Sequence, residues 1–158
     1  MDLHAKKTAL RKIPHGIFIV GVHSEDHLNA FTGSWLTQAS FTPPLVAMGV
    51  KKDTISYEMI ERSRVFAISI LGKDGKRIAE HFVKPAHAGS EKLAGFGYTR
   101  GRTGAPILDE AIAYFECEVR QIAEGGDHAV VIGEVVEAGV RQDVEALTLK
   151  DTGWQYGG

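Results

Sequence analysis

Within residues 29–46, polar side chains recur at alternate positions from Thr32 to Ser40, interrupted by Leu36. Read as an extended chain, this stretch sets Thr32, Ser34, Gln38 and Ser40 on one face, with Leu36 among them. A core strand would carry Val or Ile at such positions. The face therefore reads either as a wall that meets a polar ligand or as an ordinary solvent-facing side. Trp35, on the opposite face, suits core packing or stacking on a planar group. A second set follows in residues 49–57, where a strand ends, Lys51 and Lys52 come next, and a helix starts at Asp53 or Thr54 with Ser56 in its first turn. A helix start presents unpaired N–H groups and the positive end of the dipole. Two lysines and the hydroxyls of Thr54 and Ser56 would complete a phosphate cradle. Asp53 is out of place beside an anion, and its side chain is expected to turn away and cap the helix. The same residues also fit a plain capped helix with solvated lysines.

Other chemistries lack their residues. No G-x-G-x-x-G opens a helix after a strand, and no G-x-x-x-x-G-K-[ST] or G-x-S-x-G is present. Gly95-Phe96-Gly97-Tyr98 follows a short helical pattern instead. His4, His15, His23, His27, His81, His87 and His128 are scattered without zinc-like spacing, so no metal site is expected. Cys117 is the single cysteine, which rules out an intrachain disulfide, and it falls on the apolar face of its strand, where a thiol is inert packing.

The elements that must position these groups follow from periodicity. Residues 16–22 read as a strand buried on both faces, 30–40 as one extended segment, and 45–50 as a strand resumed after Pro43 and Pro44. Ile55, Met59 and Ile60 give the helix after Thr54 its apolar stripe. Residues 64–71 return to strand, and 74–83 carry Ile78, Ala79 and Phe82 at helical spacing up to Pro85. Residues 86–108 read as a long covering loop with a possible short helix at Leu93. Ala113, Phe115, Cys117 and Val119 alternate with Tyr114, Glu116, Glu118 and Arg120 as a half-buried strand. Its hairpin partner is residues 128–140, across a tight turn in which Gly125 and Gly126 are expected to supply positive φ. About six strands with two to three interspersed helices suggest a mainly antiparallel barrel carrying helices outside.

At 158 residues, with 44% apolar and 24% charged side chains, the chain suits a single domain over residues 1–158 with its own core. A net charge of −2 gives no reason to expect nucleic acid or an anionic membrane as partner. With no apolar run of signal length and no continuous apolar stretch of about 18 residues, a cytoplasmic protein is expected.

Taken in order, several motifs resemble the flavin reductase-like family. They are Thr-x-Ser-Trp-x-Thr-Gln-x-Ser-Phe-x-Pro-Pro-Leu-Val (32–46), Lys-x-x-x-Ser-Tyr (52–57), Phe-x-Ile-Ser-Ile-Leu (66–71), Ala-Glu-His-Phe (79–82), Gly-Asp-His (126–128), Ile-Gly-Glu-Val (132–135) and the final Asp-Thr-Gly-Trp-Gln-Tyr-Gly-Gly (151–158). The resemblance implies a mainly β fold, an FMN-binding split β-barrel with a few flanking helices. It also implies a homodimer with FMN near the subunit interface and NAD(P)H as transient donor. Carried onto this sequence, Thr32, Ser34, Trp35, Leu36, Gln38 and Ala39 would line the isoalloxazine and ribityl chain. Lys51, Lys52 and Thr54, with Ser56 and Tyr57, would hold the phosphate. His81 and Phe82 would lie near the ring, and His128 where a nicotinamide docks. Ser34-Trp35-Leu36 stands where the family commonly reads Ser-Ser-Phe, and this resembles the branch of flavoredoxins and diflavin flavin domains. That branch implies an alternative to flavin reduction, an electron-transfer flavoprotein reduced by a partner protein. A barrel that binds a ligand without chemistry is the third reading. A flavin would supply the chemistry itself, needing N–H donors for its developing negative charge rather than a triad or paired carboxylates.

Overall fold

The structure, a computed structural model, describes residues 1–25, 27–84, 93 and 95–158. Its central element is a seven-stranded antiparallel sheet in the order β2-β1-β5-β8-β9-β4-β3. The strands are β1 (Phe18–Ser24), β2 (His27–Gly33), β3 (Leu36–Ser40), β4 (Leu45–Lys51), β5 (Val65–Ile70), β8 (Ala113–Glu124) and β9 (His128–Val140). The two edge strands, β2 and β3, are consecutive in the chain and separated only by Ser34 and Trp35. Six inter-strand steps would set the edges of a flat sheet roughly 29 Å apart. The link from Gly33 to Leu36 reaches at most about 11 Å. The sheet therefore rolls into a barrel that stays open along the seam between β2 and β3. This is the mainly β, split-barrel architecture expected from the sequence.

Both faces of β1 are buried because two cores flank it. Phe18, Val20 and Val22 point into the barrel with Met48, Phe66, Ile68, Cys117 and Val131. Ile17 and Ile19 face an outer core with Leu71, Ala79, Phe82, Leu108 and Leu147. Helix α2 (Ile55–Ser63) sends Tyr57 and Ile60 into the barrel interior. Helix α3 (Lys76–Val83) covers the outer core with Ala79 and Phe82. Cys117 is fully buried, and burial, with Glu116 beside it, pushes its thiol up to about 12.

Several sequence expectations need correction. The single extended segment over 30–40 is two strands on opposite edges of the sheet. The hairpin turn is not a two-residue turn, since Glu124 pairs with Ala129 and neither Gly125 nor Gly126 has positive φ. The alternation along β8 fails at Glu116, which is fully buried. Its carboxylate accepts from the N–H of Arg102 (2.9 Å) and Thr103 (2.8 Å) and from the Thr103 hydroxyl (2.6 Å). A Cβ at Gly101 would collide with that carboxylate, so glycine lets the loop close over it.

The supposed covering loop contains a small hairpin, β6 (Tyr98–Arg100) with β7 (Pro106–Leu108). The short helix supposed around Leu93 lies largely outside the described residues. Two further helices, α1 (Leu3–Leu10) and α4 (Leu149–Thr152), bracket the chain. Among the described residues, no helix is long and apolar enough to cross a membrane, and no group of His, Cys, Asp or Glu is placed to hold a metal ion.

Candidate functional site

A cleft of about 840 Å³ lies at the barrel seam, the size range of small-molecule sites. One wall is the end of β2 and the crossing residues, with Thr32, Gly33, Ser34 and Trp35. The second is the end of β4 and the start of α2, with Gly49, Lys51, Asp53, Thr54, Ile55 and Ser56. The third is His128 with Trp154, Gln155 and Tyr156, and Glu80, Val83 and Lys84 of the α3 region complete the rim. Trp35 can cross the seam because residue 49 is glycine; a Cβ there would lie 2.9 Å from its ring.

At the start of α2, Thr54 rather than Asp53 is the N-cap. Its hydroxyl oxygen accepts from the Tyr57 N–H (3.2 Å) while its O–H donates to the Lys51 carbonyl (2.8 Å). Asp53 instead pairs with Lys51 at 3.2 Å. The N–H groups of Ile55 and Ser56 have no carbonyl within the helix to meet. Ser56 Oγ accepts from Asn29 Nδ2 at 3.0 Å, which leaves the Ser56 O–H to donate into the cleft. Asn29 is itself buried, with Oδ1 lacking a hydrogen-bond partner. Thr32 donates to the Ala79 carbonyl (2.6 Å), so toward the cleft it offers acceptor lone pairs.

His128 is held on both ring nitrogens. Nδ1 lies 3.0 Å from Asp127 Oδ1, and Nε2 lies 3.1 Å from the Tyr156 hydroxyl. The hydrogen bond from His128, and then its charge, hold the Asp127 carboxyl below the usual range. An ionised Asp127 can only accept, so Nδ1 of His128 carries a proton and donates to it, while Nε2 and the Tyr156 hydroxyl share the second hydrogen bond. The Trp35 ring lies 4.7 Å from His128 and 5.2 Å from Tyr156, centroid to centroid.

Of the residues singled out from sequence, Thr32, Ser34, Trp35, Lys51, Thr54, Ser56 and His128 converge on this cleft. The others lie elsewhere. Leu36 and Gln38 line a separate depression with Phe115 and Val135, and Ala39 is exposed on β3. Lys52 reaches toward Glu124 at 3.8 Å. Tyr57 is buried and donates to Glu124 (3.1 Å); burial first, then that bond, push its phenol up to about 12. Phe82 sits in the outer core, and His81 packs on Phe82 and Phe96 at 5.0 and 4.7 Å. Sequence reasoning did not place Trp154, Gln155 and Tyr156 at the site. Their signal was the aromatic pair set between Gly153 and Gly157.

The arrangement can hold a planar, anionic molecule, with aromatic rings and polar groups along the walls and N–H and hydroxyl donors at one end. Comparisons with known proteins agree with that shape. The family model described as "Flavin reductase like domain" matches residues 10–157. Diflavin flavoprotein A 1 of Synechocystis sp. is 33% identical over 141 residues, 89% of this chain and 24% of that protein. The chain spans about a quarter of the length of the first curated relatives it matches. The Streptomyces globisporus NADH:FAD oxidoreductase SgcE6 superposes with a TM-score of 0.82 at 28% identity, over 89% of this chain and 84% of that one. The flavin reductase HpaC, solved with NADP+, gives 0.81 at 25% identity over 94% and 93%.

Proposed function

The chain belongs to the flavin reductase-like family, and from that premise we propose that it is an FMN-dependent oxidoreductase using NAD(P)H as donor. The observation that carries the proposal is the cleft's donor set, with aromatic walls beside a helix start and hydroxyls free to meet an anion. The residues fit FMN. Thr54, Ser56, Lys51 and the first N–H groups of α2 would hold the phosphate, and Thr32, Ser34 and Trp35 would meet the ring and ribityl chain. Bound FMN would supply the two-electron chemistry. Around it the chain excludes water with Trp35, Trp154 and Tyr156 and holds the His128 ring between Asp127 and the Tyr156 hydroxyl.

An anaerobic titration of the flavin-loaded protein with NADH and with NADPH tests the reading. Bleaching of the flavin spectrum by either nicotinamide supports a reductase. Bleaching only by dithionite or a reduced redox protein supports the electron carrier. The carrier reading has one specific support, the similarity to diflavin flavoproteins, in which the matched part is a fraction of a longer chain. His128 is assigned to the donor side of the cleft. His128→Ala is expected to slow reduction by NAD(P)H about tenfold, or about 1.4 kcal/mol in the transition state. Dithionite reduction and thermal stability should stay as in the wild type. Unchanged reduction kinetics with a lowered melting temperature would assign His128 to the fold instead.

The proposal includes a two-fold homodimer in the cytoplasm. Strand β3 is an edge strand, the depression beside it is lined by Leu36, Val46, Phe115 and Val135, and Phe41 next to it is 92% exposed. An unpaired edge with apolar surface is what a second copy would cover, and Gln38 and Ala39 would then lie at the interface. Sedimentation at micromolar concentration should give a dimer; a flavin-loaded monomer there would refute this part of the proposal.

A further inference from the structure

Helix α1 buries none of its residues. Lys7 of this helix lies against Gly158, and Arg11 just beyond it makes side-chain hydrogen bonds to the same segment. Its Nη1 donates to Gln155 Oε1 (2.6 Å) and its Nε to the Gly157 carbonyl (3.0 Å). Those acceptors belong to residues 154–157, a strap that forms the third wall of the cleft. The strap leaves α4 through Gly153, in the left-handed region at φ 73°, and turns again at Gly157, φ 84°. Trp154 anchors its near end in the outer core. Its far end rests on the cleft, with the Tyr156 hydroxyl on His128 and Gly157 close against Trp35, where a Cβ would lie 3.3 Å from the ring. Glycine at both turns lets the backbone take the left-handed conformation that lays the strap across the cleft. Its inner contacts face the ligand space, so Arg11 is the hold applied from outside.

We propose that Arg11 is a positioning residue for the cleft: by latching the strap over His128 and Trp35, it sets how long a bound flavin stays. This rests on the FMN reading above. The latch works without touching the ligand. Because no residue of α1 is fully buried, loss of the latch should change the residence of the ligand and leave fold stability alone. A guanidinium meets two acceptors from a planar fork of fixed geometry, whereas an ammonium offers three donors on a freely rotating point charge.

The test compares wild type, Arg11→Ala and Arg11→Lys. FMN release is measured by stopped-flow dilution, thermal stability on ligand-free protein, and the 15N heteronuclear NOE of Gln155, Tyr156 and Gly157 without flavin. Arg11→Ala is expected to release FMN about five- to tenfold faster, the scale of losing one or two hydrogen bonds. The NOE of the strap should fall, the melting temperature should hold, and Arg11→Lys should lie between. Wild-type release from Arg11→Ala overturns the proposal. A melting temperature that falls in step with the release rate overturns it too, by assigning Arg11 to the fold. Wild-type protein that takes up no FMN refutes the flavin reading itself; an unchanged strap NOE in Arg11→Ala separately refutes the latch.

Discussion

FMN will bind on the order of a hundredfold more tightly than riboflavin, which carries the same ring and ribityl chain without the phosphate. The difference comes from the start of α2. There the N–H groups of Ile55 and Ser56, the Ser56 hydroxyl and the positive end of the helix dipole converge on one wall of the cleft. Two hydrogen bonds to a charged acceptor, at roughly 1.5 kcal/mol or more each, amount to about 3 kcal/mol, or two orders of magnitude in affinity. Lys51 adds less than its charge suggests, because Asp53 already neutralises it at 3.2 Å and both side chains are exposed. The preference for FMN should accordingly weaken only modestly with added salt. Thr54→Ala should weaken FMN by about 1–2 kcal/mol, since its hydroxyl fixes both the helix start and the preceding Lys51 carbonyl. Isothermal titration with the two flavins decides the matter, and equal affinities would remove the phosphate from this end of the cleft.

The second large effect is one of stability. Glu116→Ala should destabilise the protein by about 3 kcal/mol, because three hydrogen bonds to a carboxylate disappear and the side chain leaves a void. For a chain of this length that is a fall in melting temperature of roughly 6–12 °C. Glu116→Gln should lose less, since it keeps the volume and one acceptor oxygen while turning an NH2 toward backbone donors. Neither variant touches the cleft, so FMN affinity should hold at temperatures where the protein is folded. Calorimetry is the check. A loss below about 1 kcal/mol would mean that water serves Arg102 and Thr103 as well as the carboxylate does.

Legibility in the sequence followed burial. Strands β1, β4, β5 and β9 announce themselves as runs of Val, Ile, Leu and Phe because two cores, or a core and a covering element, flank them. Helix α1 carries no apolar stripe and buries nothing, so periodicity had nothing to detect. β6 and β7 are three residues each, too short for a pattern to repeat. The period-2 alternation runs on through Ser34 and Trp35, and this hid the passage from one sheet edge to the other: local pattern reports the backbone's pleat, not the strand's neighbour. Glu116 was misread for a related reason. Its place opposite Cys117 marks it for solvent, and only the loop from Gly101 to Ala105, distant in sequence, shields it. At the site, the polar face and the helix start were visible because neighbouring residues build them. The strap was not, since Tyr156 meets His128 and Trp35 only through the fold.

The seam has a further meaning for motion. Five strands of the sheet, β1, β5, β8, β9 and β4, have a hydrogen-bonded neighbour on each side, whereas β2 and β3 each have one. Local opening costs least where a strand can leave by breaking a single ladder, so the lowest-energy excursions of this barrel run along the two edge strands, of which β2 carries one wall of the cleft. Amide protons there should trade with solvent ahead of the central five. The ligand space is therefore set in the part of the molecule that can breathe while the rest stays shut, which lets a bulky planar guest enter without global unfolding.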